Sequence, residues 1–448
     1  MGELNRTISN SPILVIAGTR PEIIKLAPVV EWLERLRADY VLVWSGQHYD
    51  YEMSRIFFEQ LGIPEPDMTL DVGSGSHAEQ TAKAMIGVEK VIARYEPSIV
   101  VAEGDTNTVV AAALTAVKMW VPFAHVEAGL RSWDRTMPEE VNRVVADALA
   151  ELLFAPTELA AVNLMHEGVP LDKIYITGNT IVDVVLKHEE KALAYGRRLM
   201  ETLGLEPYGY FLVTVHRQEN TDNPCRLADI LKALKKLAKH FPVVFPVHPR
   251  TLNRLKRLGL DGELRDSGII TTGPLGYFQF LGLLAHSLVV LTDSGGVQEE
   301  ACTLAVPCVT LRYNTERPET VAVGLNKIVG TDPVSIMNAA LSAAERRDEI
   351  TSKARSRPNP LGDGKAGEKI ARILKEATEH GIRIQTTDSR QDPYITYAQI
   401  SSKANYTIIA LYTQDGLATC DIKQAHTMVV RAPLSLIVKL LKSRTKDY

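Results

Sequence analysis

Through the first 330 residues, short continuous apolar runs alternate with amphipathic helical patterns, and this rhythm constrains the fold more than any other feature. The first half offers strands at ILVIA, YVLVW, SIVVAE, PFAHV, LLFAP and KIYIT. A second series follows at YFLVTV, PVVFPV, GIITT, SLVVLT, PCVTL and NKIVG. Runs that are apolar on both faces, separated by helices such as RLADILKALKKLAKH, belong to parallel sheets covered on both sides. Twelve strands would make an unusually wide single sheet. The series also pauses over residues 183–206, which read as helix up to Pro207. The expected architecture is therefore α/β, with a Rossmann-like doubly wound domain over 1–182, a helical connector over 183–206 and a second such domain over 207–365. Residues 366–380 read as one more helix. Residues 381–448 lose the rhythm and form an extension of unassigned purpose.

The chain has 448 residues, enough for two such domains, and its charge excludes several functions. A net charge of −4 spread through the chain leaves no basic footprint for nucleic acid or an anionic membrane. The longest apolar stretch, VVAAALTAVKMWVPFAHV, is interrupted by Lys118 and Pro122, and ILVIA is too short for a signal-peptide core. Cys225, Cys302, Cys308 and Cys420 form no CxxC pair, so a disulfide framework or structural zinc is not expected and a cytoplasmic location is. Neither a GxxxxGK[ST] phosphate loop nor an HExxH pair occurs. Gly362 to Gly367 satisfies GxGxxG, but it follows RPNPL instead of a strand and carries no dinucleotide reading.

Ligands of parallel α/β sheets bind beyond the carboxyl ends of the strands, and this chain concentrates polar groups there. ILVIA runs into Gly18-Thr19-Arg20-Pro21-Glu22, with Lys25 one turn on, and YVLVW into Gln47-His48. SIVVAE ends in Gly104-Asp105, and PFAHV in Glu127-Ala128-Gly129. In the second half FLVTV ends in His216-Arg217, VVFPV in His248-Pro249-Arg250, and SLVVLT in Asp293-Ser294-Gly295-Gly296. Each has a structural explanation when taken alone. Asp105 could be a helix N-cap, and Pro138-Glu139-Glu140 has the composition of an ordinary first turn. Two sheets facing one cleft would instead aim all of these groups at one volume. In LTDSGGVQEEA the glycine pair suggests a tight turn into a helix start that favours an anion. Ser294 can donate to a phosphate oxygen, and Glu299 and Glu300 lie one helical turn on, within reach of a ribose.

With these segments in order, the chain resembles the non-hydrolysing UDP-N-acetylglucosamine 2-epimerases. The resemblance rests on GTRPEIIKLAPVV, SGQHYD, GDTNT, HVEAGLRS, PEEVNR, TGNTIVD, VTVHRQEN, PVHPR, LTDSGGVQEEA, TERPE and NPLGDGKA, spread over roughly residues 12–378. It implies a glycosyltransferase B type fold, a last helix that crosses back to the N-terminal domain, a homodimer, a UDP-sugar substrate and neither nicotinamide nor metal. Asp105, Glu127 and Glu139 match the family's catalytic carboxylates, and His216 an active-site histidine near the diphosphate. Arg20, Lys25 and Arg143 match residues that handle substrate, His48 lies in a matching site motif, and Phe280 matches the residue at the uracil. Ser294, Gly295, Gly296, Glu300 and Arg317 match groups that hold diphosphate and ribose. Two departures stand out. WDRTM, between GLRS and PEE, is short, and Asp50 and VGSGSH replace polar side chains expected for activation by substrate.

Epimerisation at C2 of such a sugar is demanding, because the carbon carries an amide nitrogen and no carbonyl acidifies its hydrogen. Removing that proton while UDP leaves C1 gives a glycal, and inversion then requires acid/base groups on opposite ring faces. A retaining UDP-sugar glycosyltransferase would use the same nucleotide pocket without needing all three carboxylates. A UDP-sugar sensor would need none of them. A hydrolysing epimerase, or one acting on a diacetamido uronic acid derivative, is a closer alternative.

Overall fold

In the computed structural model, residues 11–46 and 58–380 are described, together with two short strands, Ile408–Ile409 and Val430–Arg431. The apolar runs of the first half form β1 (Ile13–Ala17), β2 (Tyr40–Trp44), β4 (Ile99–Glu103), β5 (Phe123–Val126), β6 (Leu152–Ala155) and β7 (Ile174–Ile176). One further strand, β3 (Met68–Thr69), is two residues long and too short to leave a periodic signal. The sheet order is β3-β2-β1-β4-β5-β6-β7, parallel at every pairing. The second series forms β8 (Phe211–Thr214), β9 (Val243–Pro246), β10 (Ile270–Thr272), β11 (Val289–Thr292), β12 (Cys308–Thr310) and β13 (Asn326–Ile328). Their order is β10-β9-β8-β11-β12-β13, again all parallel. The doubly wound α/β class expected from the sequence is the class observed.

The described chain divides into two compact units. The first takes the residues up to Thr180 and those from Lys365 onward, and the second takes Ile181–Gly364. In the first, Leu14, Ile16, Val100, Phe123 and Leu153 anchor the core against the Asn107–Lys118 helix. That helix turns Ala112, Ala113 and Ala116 to the sheet, and such small side chains let it approach closely. The Ala366–His380 helix docks on the Arg20–Arg35 helix, where a Cβ on Gly367 would strike the backbone of Pro28. Lys375 Nζ donates to Leu36 O at 2.9 Å and Lys369 Nζ to Thr177 O at 3.3 Å, which ties this helix to the first unit.

The second unit gathers Phe211, Val213, Val243, Phe245, Val289 and Leu291 under the Pro224–Leu237 helix. The long Thr180–Leu203 helix crosses the Tyr277–His286 helix at Gly196 and Gly282. A Cβ on either glycine would meet the other helix's backbone, so only glycine permits this approach. Helix starts are set locally: Ser76 and Glu79 form a reciprocal capping box, and Asn223 and Asp332 accept from Arg226 N and Ser335 N.

Each strand order reverses once: between β1 and β4 in the first sheet, and between β8 and β11 in the second. Ligands of open α/β sheets bind at such reversals, outside the carboxyl ends. In the first unit those ends carry Gly18-Thr19-Arg20 and Gly104-Asp105, and in the second His216-Arg217 and Asp293-Ser294.

Candidate active site

At the first reversal the chain buries more carboxylates than cations. Glu22, in the first turn of the Arg20–Arg35 helix, accepts hydrogen bonds from Gly18 N, from Thr19 N at 2.7 Å and from Thr106 Oγ1 at 2.5 Å. Burial pushes its proton affinity up to about 7 against the opposition of these donors, and the neighbouring Asp105 adds to the rise. Lys25 sits on the same helix. Its Nζ lies 2.6 Å from Glu127 Oε2 and 3.4 Å from Glu103 Oε1, and all three side chains are buried. Burial holds Glu103 well above the ordinary carboxylate range. Lys25 opposes that rise, while Glu127 and Glu22 reinforce it.

Glu127 follows β5 with φ +72°, in the left-handed region that a non-glycine residue adopts at a cost of about 1 kcal/mol or more. Gly129 follows with φ +83°, pressed so closely to the Ala160 backbone that no Cβ fits. Beneath them, His125 Nδ1 lies 2.6 Å from Asp147 Oδ1 and its Nε2 lies 2.8 Å from Gly104 O. Burial alone would push this imidazole down, but the Asp147 carboxylate and the Gly104 carbonyl raise it above its ordinary value. Asp147 also accepts from Gly129 N and pairs with Arg131, which forks onto Glu167. His125 and Arg131 hold Asp147 below the ordinary range against its burial. This network ties the backbone on both sides of Glu127 into the core.

Asp105 is not an N-cap. Thr106 occupies that position, and the Asp105 carboxylate instead pairs with Arg143 of the Pro138–Leu149 helix. The two acids of that helix's first turn divide their roles. Glu140 is buried, accepts from Arg143 at 2.9 Å, and receives Ser132 N and Trp133 N at 3.0 Å each. It therefore fixes the short WDRTM segment. Glu139 is only half-buried. Arg20 opens the Arg20–Arg35 helix and is also half-buried.

The second reversal is organised by carboxylates that meet cations and N–H groups. Asp293, fully buried after β11, accepts from His216 N at 3.0 Å, Arg217 N at 3.0 Å and Asn220 Nδ2 at 3.1 Å. The His216 ring is left 40% exposed, 6.1 Å from the His248 ring. Ser294 caps the Gly295–Thr303 helix by position, without a side-chain capping bond. Gly295 and Gly296 form that helix's first turn and neither has positive φ, so the turn expected from their sequence is not why glycine stands there. A Cβ on Gly295 would lie 3.1 Å from Arg317 Cζ, and a Cβ on Gly296 would meet open space. The first glycine admits the guanidinium, and the second leaves room beside the helix N-terminus. Glu299 does not reach toward a ribose: it is fully buried and holds Arg317 Nε at 2.6 Å. Glu316 reaches Arg317 Nη1 at 3.4 Å and pairs with Arg312 at 2.7 Å. Glu300 lies beside the Tyr277 phenol, which burial and that carboxylate hold well above its ordinary value. Phe280 is half-buried on the Tyr277–His286 helix.

The structure thus brings Lys25 onto Glu127, Arg143 onto Asp105, and Arg317 onto the Ser294-Gly295 helix start. His48 and Asp50 lie outside the described residues. Glu103, His125 and Asp147 carry no role in the reading of the sequence, and Glu22 and Asp293 stand there only as members of strand-end clusters, without a role of their own. The available signal was a charged residue at an interior or terminal position of a fully buried strand, as in IVVAE and FAHV. Gly362 and Gly364 lead into the Ala366–His380 helix from the preceding helix, with no strand before them. Among the described residues no group of three His, Cys, Asp or Glu is placed to hold a metal ion, and no helix is long and apolar enough to cross a membrane.

A family model described as UDP-N-acetylglucosamine 2-epimerase matches residues 32–375. The chain is 46% identical over 365 residues to the UDP-N-acetylglucosamine 2-epimerase of Methanocaldococcus jannaschii, covering 80% of this chain and 98% of that protein. It is 40% identical to the UDP-2,3-diacetamido-2,3-dideoxy-D-glucuronate 2-epimerase of Pseudomonas aeruginosa, covering 81% and 99%. Among solved structures, the M. jannaschii UDP-GlcNAc 2-epimerase in complex with UDP-GlcNAc and UDP superimposes with a TM-score of 0.75, covering 82% of this chain and 99% of that one.

Proposed function

The chain belongs to the UDP-N-acetylglucosamine 2-epimerase family, and from that premise we propose that it interconverts UDP-N-acetylglucosamine and UDP-N-acetylmannosamine without net hydrolysis. The observation that supports this reading most is the group of carboxylates at the β1/β4 reversal, where Glu127 meets Lys25, Asp105 meets Arg143 and Glu22 is raised to about 7. Acid/base catalysis near neutral pH needs carboxyl groups poised to exchange protons, and burial with few cations provides that.

In the proposed reaction the C2–H bond breaks as its proton passes to one carboxylate. The electron pair forms the C1–C2 double bond while the C1–O bond breaks, and that bond's pair leaves with UDP. UDP then adds back to C1 of the glycal, and a second group returns a proton to the opposite face of C2. Asp105, Glu127 and Glu139 are the acid/base candidates. Lys25 and Arg143 fix the first two of these side chains. Arg20, His216, Arg317, Ser294 and the N–H groups of Gly295 and Gly296 take the charge that builds on the departing diphosphate. Glu300 accepts from the ribose hydroxyls, and Phe280 packs at the uracil. We further propose a cytoplasmic homodimer, in keeping with the unpaired thiols of Cys225, Cys302 and Cys308.

The 40% identity to the diacetamidoglucuronate epimerase favours one second reading, in which the substrate carries a second acetamido group and a carboxylate. Proton NMR of the purified protein with each UDP-sugar separates the two. Conversion of UDP-N-acetylglucosamine to its C2 epimer is expected. Release of free N-acetylmannosamine would contradict the non-hydrolysing reading, and turnover of the uronate alone would move the assignment to that substrate.

A further inference from the structure

Glu103 is the last residue of β4, immediately before Gly104-Asp105 at the reversal, and nothing above gives it a part in the reaction. It is 2% exposed, and its Oε1 makes no hydrogen bond although Lys25 Nζ lies 3.4 Å away. Its carboxyl group is in hydrogen-bonding contact with Glu127. Lys25 is committed to Glu127, at 2.6 Å and with hydrogen-bond geometry. One ammonium therefore faces two buried carboxyl groups. Glu22, from the same helix as Lys25, adds another carboxyl nearby, and on the far side His125 Nε2 contacts the carbonyl of Gly104. Two ionised carboxylates sharing one buried cation would leave an uncompensated charge away from water, which proteins avoid by keeping a proton on one of the pair. Lys25 favours the ionised form of the partner it binds, so the retained proton falls to Glu103, whose O–H can then donate to Glu127.

We propose that Glu103 is a positioning residue for the reaction: it keeps its own proton, donates it as a hydrogen bond to Glu127, and with Lys25 sets the orientation and proton affinity of that carboxylate. The proposal rests on the reading of Glu127 as an acid/base group. No proton leaves Glu103 in turnover. When Glu127 gains or gives up the proton exchanged with C2, the Glu103 O–H and the Lys25 ammonium remain as its two fixed contacts. The arrangement fails only when the shared proton itself is lost at high pH. Both carboxyl groups are then ionised against one lysine.

The test compares wild type, Glu103→Gln and Glu103→Leu. Gln keeps a donor at the same place and cannot ionise, whereas Leu keeps bulk and loses the donor. Glu103→Gln should keep kcat within about tenfold and lose the alkaline fall of the wild-type kcat profile, with KM little changed. Glu103→Leu should lower kcat by about a hundredfold, the scale on which a misplaced acid/base group costs activity. A uniform loss in both variants, with the wild-type pH profile retained, would mean that Glu103 only fills space and would overturn the proposal. Infrared difference spectra between neutral and alkaline pH give a readout that does not depend on turnover. Beyond the Glu22 band common to both proteins, wild type should lose a further protonated-carboxyl C=O band that is missing from Glu103→Gln, and identical difference spectra in the two would also overturn the proposal. If wild type shows that band but no epimerisation, the shared proton stands and the proposed function falls.

Discussion

In the first unit Glu103 and Glu127 share a single lysine, Glu22 is buried close to Glu103, and Glu22 and Glu103 carry raised proton affinities. In the second, Asp293 receives two backbone N–H groups and an amide, Glu299 receives Arg317, and Glu316 receives both Arg312 and Arg317. Both clusters sit where a strand order reverses, on sheets of the same class, yet their charges are balanced differently. Desolvation with one lysine between two buried carboxyl groups raises proton affinity in the first cluster, while in the second the guanidinium groups of Arg312 and Arg317 match Glu299 and Glu316 and hold them in place. The proposed function puts the proton transfers on groups of the first unit and most of the nucleotide contacts on groups of the second.

The largest effect that can break this division is on turnover. Asp105→Asn, Glu127→Gln and Glu139→Gln keep side-chain shape and remove an exchangeable carboxyl proton. Each should lower kcat by a hundredfold to ten-thousandfold, the range of general acid–base catalysis, while calorimetric affinity for UDP stays near wild type. Near-normal turnover in all three variants, or UDP affinity falling in parallel with kcat, would erase the distinction between the units.

The next effect is on stability and follows from Glu22. Its folded proton affinity lies above the ordinary 4.5, at about 7, so between those values the native state holds a proton that the unfolded chain releases. This contribution is fully present below pH 4.5 and is lost as pH rises to about 7, a change of about 3 kcal/mol. Trp32, Trp44, Trp120 and Trp133 all belong to the first unit, so urea unfolding followed by tryptophan fluorescence reports on it alone. Wild type should lose stability relative to Glu22→Gln across this window. Equal pH slopes in the two proteins would show that the first unit's carboxyl groups are as settled as those of the second.

A smaller effect sharpens the other side of the comparison. Glu300→Ala removes the acceptor proposed for the ribose hydroxyls and should weaken UDP binding by about 2 kcal/mol, roughly thirtyfold. The fluorescence-monitored stability of the first unit should not move. Unchanged UDP affinity by calorimetry would withdraw the nucleotide role from the Gly295–Thr303 helix.

The strands were legible because runs such as ILVIA and SLVVLT are apolar on both faces, which only a covered parallel sheet satisfies. The two-residue β3 was not legible, because it carries no period of its own. The sequence placed polar clusters at the strand ends, but what each residue does there depends on partners far along the chain. Lys25 meets Glu127 across 102 positions, and Glu22 meets Thr106 across 84. Gly295 shows how local reading misleads. A glycine beside a glycine suggests a turn, yet this one sits in a helix and makes room for the guanidinium of Arg317. Glu299 and Glu300 look interchangeable in QEEA, and only their partners, Arg317 for the first and the Tyr277 phenol for the second, separate them.

The most direct measurement follows the hydrogen at C2 during turnover of UDP-N-acetylglucosamine in D2O, with no nicotinamide added. If buried carboxyl groups of the first unit take the proton from one face and return one from the other, the returned hydrogen comes from groups that exchange with solvent. Proton NMR and mass spectrometry should then find deuterium at C2 of the epimer and UDP released only transiently. An epimer that retains its original C2 hydrogen would contradict proton transfer through exchangeable carboxyl groups.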